Sequence, residues 1–432
     1  MSVLYGKGKA HIVKVNYQEI LMRILVFSYL SYDNSNYRGG GWIDSLANIL
    51  SHSSKYKVGI AYLSENSSRT SWMKNGITYF PIYRHLSFWK KLYSQITGKP
   101  CMASEHNAVM DIINGFRPDI IQLFGLETSF GSILNSVTEI PVVVHVQGIC
   151  LACCTKWFPM GISPMKIWWY HRLPDKIKFV TTSDFYRKFV ALSKIERSNY
   201  AIYKYYLGRT DWDFDLTRML APDSKYYFCN EVLRAEFYDG NWKPYCGGKV
   251  VLTTVTNGEI YKGFDTILHT AALLKEGGVS FEWNVYGVNE CFGVKKAIEH
   301  SIGKRFFECN VYFRGKKSAK DLVGILELTT FYVHPSHIDN SPNALCEAML
   351  VGVPCIASYV GGISSLIDNK VSGFLIGDGD AYHFASVIMR LSNDYDSLMK
   401  ISQNAKKVAM KRHDKLSILE NLNNIYADIL KK

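Results

Sequence analysis

Residues 334–356 read HPSHIDNSPNALCEAMLVGVPCI, and this stretch constrains the fold of the chain more than any other. An apolar run closing at His334 and Pro335 reads as a buried strand. A polar loop follows, then a helix opening at Ser341-Pro342, then a second buried strand after Gly352. Ser341 is expected to cap the helix and Pro342 to take its first position, where a missing N–H removes no bond. The N–H groups of Asn343, Ala344 and Leu345 would then point free from the helix start, where the helix dipole favours an anion such as phosphate. Leu345, Ala348 and Met349 form the apolar stripe. That leaves Glu347 on another face, stacked above Asn343, with a carboxylate able to hold a pair of sugar hydroxyls. Asp339 stands in the loop at the height of the ligand group beyond the phosphate.

The order of these residues is an acid, seven residues, Glu-Ala-Met and then Gly-Val-Pro. It resembles the signature of retaining glycosyltransferases of family 4, which have the GT-B fold. The resemblance implies that Glu347 holds the nucleotide ribose, that the loop and helix-start residues Asn340, Ser341, Pro342, Asn343, Ala344 and Leu345 hold the donor diphosphate, and that Asp339 contacts the transferred sugar. Two departures are visible. Asp339 stands where the family usually has Glu, and Asn340-Ser341-Pro342-Asn343 replaces a Gly-rich run.

The same strand and helix alternation runs through the chain. Strands are expected at 23–29, 57–63, 77–81, 120–124, 142–147 and 179–182, and again at 250–255, 281–286 and 311–313. Such alternation implies parallel, doubly wound sheets, which bind ligands at the carboxyl ends of their strands. A length of 432 residues exceeds what one core usually fills. The expected α/β architecture is therefore GT-B, two Rossmann-like domains facing across a cleft. Residues 1–21 would be an extension, 22–240 the acceptor-side domain, 241–248 a linker marked by Gly, Asn and Pro, and 249–432 the nucleotide-sugar domain. A last helical segment from Ser386 onward would cross back to the first domain.

Further site residues follow from the resemblance. Gly39, Gly40 and Gly41 sit between the first strand and first helix, where a phosphate can approach the backbone closely. No Gly-x-Gly-x-x-Gly fingerprint is present, but in the family this loop faces the donor phosphates, so Gly40 and Gly41 are candidates. Gln147 stands where the family often carries a sugar-contacting His, while His145 should point to the opposite face of its strand. Lys262-Gly263 resembles the family's Lys-Gly pair, whose lysine neutralises the diphosphate. The Arg usual five or six residues earlier is replaced by Thr256 and Asn257, which leaves Lys262 as the main charge unless Arg209 or Lys316 contributes. Arg209, in an aromatic and charged segment from Tyr205 to Tyr238, can meet a phosphate or pair with Asp211 or Asp213. Arg314-Gly315 resembles the turn that contacts the nucleotide base, with Gly315 and Lys316 as candidates.

No metal or cofactor is expected. Asp211-x-Asp213 and Asp213-x-Asp215 match a metal-binding Asp-x-Asp by letter but fall between the two halves rather than after a strand. Cys150, Cys153 and Cys154 lack a second Cys or His pair at zinc spacing. Scattered cysteines, ten in all, suit a reducing compartment. No run of about 18 apolar residues suggests a membrane span, and the N-terminus lacks a signal-peptide pattern, so a cytoplasmic protein is expected. A net charge of +12 favours an anionic neighbour. No nucleic-acid motif accompanies it. Phe88-Trp89-Lys90-Lys91-Leu92-Tyr93 and Lys166-Ile167-Trp168-Trp169-Tyr170-His171-Arg172 suit either a lipid interface or ordinary amphipathic helices.

Together these features imply retaining transfer from a nucleoside diphosphate sugar, with UDP or GDP as carrier, to a saccharide or lipid-linked saccharide in cell-surface polysaccharide assembly. Peripheral placement at the inner face of a membrane follows from the same reading. A non-catalytic nucleotide-sugar-binding subunit and a nucleotide-sugar 2-epimerase are the alternatives.

Overall fold

The computed structural model describes residues 21–32, 41–68, 70–84, 87–97, 105–243, 248–290 and 293–431. The first of two sheets holds β1 (Met22–Ser28), β2 (Tyr56–Ser64), β3 (Trp72–Lys74), β4 (Ile77–Tyr83), β5 (Ile120–Phe124), β6 (Val142–His145), β7 (Tyr205–Gly208) and β8 (Lys225–Phe228). Their order is β3-β4-β2-β1-β5-β6-β7-β8, and all neighbours pair parallel except β3 with β4. The second sheet holds β9 (Val250–Val255), β10 (Phe281–Tyr286), β11 (Val311–Gly315), β12 (Phe331–His334), β13 (Cys355–Ser358) and β14 (Phe374–Ile376). It is parallel throughout, in the order β11-β10-β9-β12-β13-β14.

Helices cover both faces of these sheets, so their central strands are buried on both sides, and this is why Ile24-Leu25-Val26-Phe27 and Phe331-Tyr332-Val333 are unbroken apolar runs. In each sheet the strand order reverses beside the first strand, at β2-β1-β5 and at β10-β9-β12. The crevice for a ligand opens at the carboxyl ends of the strands at such a reversal.

Three expectations about elements are corrected. Residues 179–182 form no strand. Phe179 has a left-handed backbone, and Thr181 opens the helix Thr182–Tyr200 through a reciprocal cap with Asp184. The segment from Tyr205 on, for which no strand was expected, belongs to the first sheet. It supplies β7, the helix Asp211–Leu220 and β8, because the Tyr-rich runs at 205–208 and 225–228 pair onto the open edge beyond β6. The stretch after 381 is broken into the helices Ala381–Leu391, Tyr395–Arg412 and Lys415–Leu430. Asp394 and Asp414 accept from Ser397 N and Ser417 N at 3.1 and 2.8 Å and so restart the chain as new helices.

The last helix lies on the first sheet. Ile418, Leu422, Ile425 and Tyr426 share one core with Ile24, Val26, Val58 and Leu46. Gln122 on β5 donates to the Tyr426 hydroxyl at 2.7 Å.

Candidate active site

Loops from the carboxyl ends of both sheets enclose a cavity of about 380 Å³. Gln147 and Gly148 follow β6, Arg209 and Trp212 follow β7, Asn257 to Lys262 follow β9, and Ile338 to Asn343 follow β12. Of the residues expected at the site, Lys262, Asp339, Asn340, Ser341, Asn343, Gln147 and Arg209 line this cavity.

An ion pair there joins the two signature elements of the second sheet. Lys262 Nζ lies 2.8 Å from Asp339 Oδ2, and His334 Nε2 lies 3.0 Å from the same oxygen. Burial by itself would raise the Asp339 carboxyl. The Lys262 ammonium and the His334 contact more than offset it and hold the group well below the usual carboxylate range. Burial pushes Lys262 the other way, yet Asp339 and then Glu259 leave its pKa raised. Both groups are therefore charged at neutral pH. Gly263 turns the chain here with φ +80, and a Cβ at that position would lie 1.9 Å from the Pro335 carbonyl, so only glycine lets the β9 and β12 loops meet.

The helix after β12 runs Asn343–Val351, one residue later than expected, with Pro342 as an N-cap that offers no side-chain bond. Ser341 does not cap it, because its hydroxyl donates instead to the buried Glu231 at 2.7 Å. Leu345 N–H is bound by Pro342 O at 3.0 Å, so it is not free. The N–H groups of Asn343 and Ala344 have no partner among the described residues, and the buried Asn343 Oδ1 is likewise unmatched. This end of the cavity retains the anion-binding character of a helix start.

Asn340 is placed differently from the expectation. Its amide donates to the Gln147 carbonyl and to Asp213 Oδ2, each at 2.9 Å, and its oxygen accepts from Thr210 at 2.6 Å. The side chain thus joins the two domains rather than facing a ligand. Asp213 also takes the N–H groups of Arg209 and Thr210, so the Asp-x-Asp letters lie directly after β7, but the buried member is committed to capping the helix Asp211–Leu220.

Arg209 pairs with neither Asp211 nor Asp213 through its guanidinium. Its Nη1 lies 3.7 Å from Glu231, Nη2 donates to the Val146 carbonyl, and the group stacks 5.3 Å over Trp42. Glu231 would be raised by burial, but Arg209, His413 and Arg412 lower it to about 2. Gln147 folds its amide back toward the carbonyls of His145 and Val146. His145 is buried between Phe124 and Trp42, and burial pushes its pKa down to about 3.

Glu347 does not line the cavity. The helix carrying it is buried from Leu345 to Val351, so no separate polar face exists, and both carboxylate oxygens accept from Arg234 at 2.7 Å. Burial raises its pKa, and the guanidinium holds part of the shift back. Pro342, Ala344, Leu345, Gly41, Gly315 and Lys316 also fall outside the cavity wall. Gly41 begins the helix Gly41–Ser51, Gly315 closes β11 with φ +68, and Gly40 lies outside the described residues. Sequence reasoning missed Arg234, Glu231, Glu259 and Trp42, which stand in no short motif with the residues they serve. Glu127, Cys150 and Glu196 also meet inside the first domain, with ligand atoms within 4.8 Å of one another.

Residues 246–408 match the family model described as glycosyl transferases group 1. The amylovoran biosynthesis glycosyltransferase AmsK of Erwinia amylovora is 30% identical over 187 residues, covering 42% of this chain and 45% of that protein. The UDP-Gal:alpha-D-GlcNAc-diphosphoundecaprenol alpha-1,3-galactosyltransferase of Escherichia coli is 28% identical over 110 residues, covering 26% of this chain and 28% of the relative. The matched stretches thus span less than half the length of these curated relatives. The structure of Anabaena HepE in complex with UDP and glucose superposes with a TM-score of 0.65 at 15% identity, over 94% of this chain and 99% of that one. The two sheets form the GT-B fold.

Proposed function

We propose that this chain, whose residues 246–408 match the group 1 glycosyl transferases, moves a sugar from a nucleoside diphosphate to an acceptor hydroxyl in cell-surface polysaccharide assembly. One observation carries the reading. A lysine held by a single carboxylate and the helix start at Asn343 bound the same cleft. A diphosphate entering there gains Lys262 and the amide of Asn343, and the lysine's partner Asp339 is released toward the sugar.

As the bond from the anomeric carbon to the phosphate oxygen breaks, negative charge grows on the diphosphate. Lys262 and the fixed amides stabilise that charge more than they stabilise the bound donor. The acceptor oxygen then bonds to the anomeric carbon, and its proton passes to a departing phosphate oxygen on the same face, giving retention. Lys262 and the helix start do the neutralising in this scheme, without a metal. UDP is the favoured carrier, since HepE is described with UDP and the galactosyltransferase uses a UDP sugar. The names of the curated relatives support a polysaccharide or diphospholipid-linked saccharide as acceptor.

Thermal denaturation with UDP, GDP, ADP, CMP and NAD, without added metal, tests the donor. A nucleoside diphosphate at 100 times its Kd should add about 2.7 kcal/mol to stability. In Lys262→Ala, with affinity about tenfold weaker, the same concentration should add only about 1.4 kcal/mol. Stabilisation by NAD alone would overturn the proposal, and so would donor conversion that needs no acceptor.

A membrane surface is the proposed working place. No helix among the described residues is long and apolar enough to cross a membrane. However, Trp89 is 75% exposed and Trp169 71%, on the helices Phe88–Thr97 and Pro164–Tyr170, which also carry Lys90, Lys91 and Lys166. Exposed indoles beside lysines suit an anionic lipid interface. Flotation with anionic vesicles should carry the protein upward and neutral vesicles should not; equal behaviour with both would refute surface charge as the attraction.

A further inference from the structure

Glu127, Cys150 and Glu196 have no part in the transfer scheme, and none of the three lines the donor cavity. They come from three elements. Glu127 follows β5, Cys150 opens the helix Cys150–Thr155, and Glu196 stands late in the helix Thr182–Tyr200. Two carboxylate oxygens and a sulfur, one atom from each residue, all lie within 4.8 Å of one another. Both carboxylates are distant from Cys150 in the chain, so the spacing of the cysteines alone carries no zinc pattern.

Each group is held in place. Glu196 is 2% exposed, and its Oε1 and Oε2 accept from the N–H groups of Cys150 and Leu151 at 3.2 and 2.9 Å. Each oxygen keeps a lone pair free. Gly125 turns the chain with φ +91, and a Cβ there would lie 2.7 Å from Glu127 Oε1, so the carboxylate occupies room that only glycine leaves. Cys150 is 5% exposed, and its sulfur has no hydrogen-bond partner among the described residues.

Among the described residues no lysine, arginine or histidine pairs with either carboxylate. Burial raises Glu127 to about 7, and burial with Glu127 alongside raises Glu196 to about 8. Burial also pushes the Cys150 thiol up. Three acidic groups gathered with no positive charge hold protons until a metal ion replaces them. The donor set selects the ion. Sulfur favours zinc over the hard cations Mg²⁺ and Ca²⁺, which take six or more oxygens. A tetrahedral zinc, with arms of about 2.3 Å to sulfur and about 2.0–2.2 Å to oxygen, holds its ligand atoms roughly 3.3–3.6 Å apart. Rotation of the half-buried Glu127 side chain closes the remaining gap.

We propose that Glu127, Cys150 and Glu196 form a zinc site, with water reaching the fourth position past Glu127. The ion ties the end of β5 to the helices Cys150–Thr155 and Thr182–Tyr200. Ile149 and Cys153, on either side of Cys150, line the donor cavity, so the ion stiffens that wall without touching the diphosphate. The inference stands apart from the glycosyl-transfer reading.

Titration of the whole chelator-treated protein with Co²⁺, read by absorption and followed by zinc competition, tests it. About one cobalt per chain should bind, with the charge-transfer band of a cobalt–thiolate bond and the visible bands of a tetrahedral ion, and zinc should bleach both. Cys150→Ser should remove the charge-transfer band, whereas Cys154→Ser should keep it. Glu127→Gln should weaken zinc by about tenfold or more, since even a residue behind the ligands costs about that factor. Hydrogen exchange of the unaltered protein gives a readout free of substitutions: zinc should slow 125–128, 149–154 and 193–199 together. Absence of saturable binding, a band that survives in Cys150→Ser or disappears in Cys154→Ser, equal affinity for Mg²⁺, or protection by zinc confined to other segments would each overturn the proposal.

Discussion

Lys262 and Asp339 neutralise each other across 2.8 Å in the unliganded cleft, so a diphosphate must compete with a carboxylate for its main cation. Asp339→Asn removes the competitor but also the group aimed at the sugar. The variant should bind UDP more tightly while transferring about tenfold more slowly, whereas Lys262→Ala should lose both affinity and rate by about that factor. Calorimetry with UDP and turnover of a labelled donor check this; parallel losses in both variants would show that Asp339 does not restrain the lysine. These two residues were legible because each sits in a short run whose neighbours fix the turn, Lys-Gly before a helix and an acid separated by seven residues from Glu-Ala-Met. Glu347 was legible as a residue but not in its setting. Its partner Arg234 lies 113 positions earlier, in a stretch with no motif, and pairing at that distance is a property of the fold. The helix Asn343–Val351 is also too apolar to leave Glu347 a polar face.

Between β12 and its helix, His337 ties three elements together. Its Nδ1 lies 2.6 Å from Asp378, and its Nε2 lies 2.9 Å from Asp265 on the helix Phe264–Glu276. Asp378 in turn meets Lys156 of the first domain at 2.8 Å. Burial opposes the charged ring, but Asp265 and Asp378 prevail and raise the pKa to about 9. A folded value above the unfolded value of about 6.5 means that the stabilisation is complete below that pH and fades as pH rises through 9. Urea unfolding should therefore show His337→Gln less stable than the parent by roughly 3 kcal/mol at pH 6. The gap should close by pH 10, and a gap independent of pH would assign the loss to packing instead. Element type was readable wherever an apolar run met turn residues on both sides. It failed at 179–182, where Val180 and the threonines mimic a strand but Thr181 and Asp184 close a capping box. It failed again at β7 and β8, whose tyrosines and charges hide two edge strands.

The two domains meet through a polar junction rather than an apolar seam at Asn340, which bonds Gln147, Thr210 and Asp213 of the first domain at once. Asn340→Ala leaves those buried groups short of partners and should cost about 2–3 kcal/mol. Hydrogen exchange should quicken together at 145–149, 209–213 and 338–343; unchanged exchange in the first two segments would mean that the junction is held elsewhere. The GT-B plan itself was readable from the repeated alternation and one signature, because parallel sheets covered on both faces need apolar central strands joined by helical crossovers. The fit of one domain on the other was not, since the residues that make it, polar ones such as Asn340 and Arg234 and apolar ones such as Trp157 and Phe237, are scattered along the chain with no motif. The helix Lys415–Leu430 supplies Ile418, Leu422, Ile425 and Tyr426 to the core of the first sheet, yet a ribosome releases it only after the whole second domain. The earliest strands must therefore wait, with one face unsealed, through the translation of nearly everything that follows. A nascent chain halted before residue 415 presents that oily face to chaperones, and two separately expressed halves would meet the same exposure.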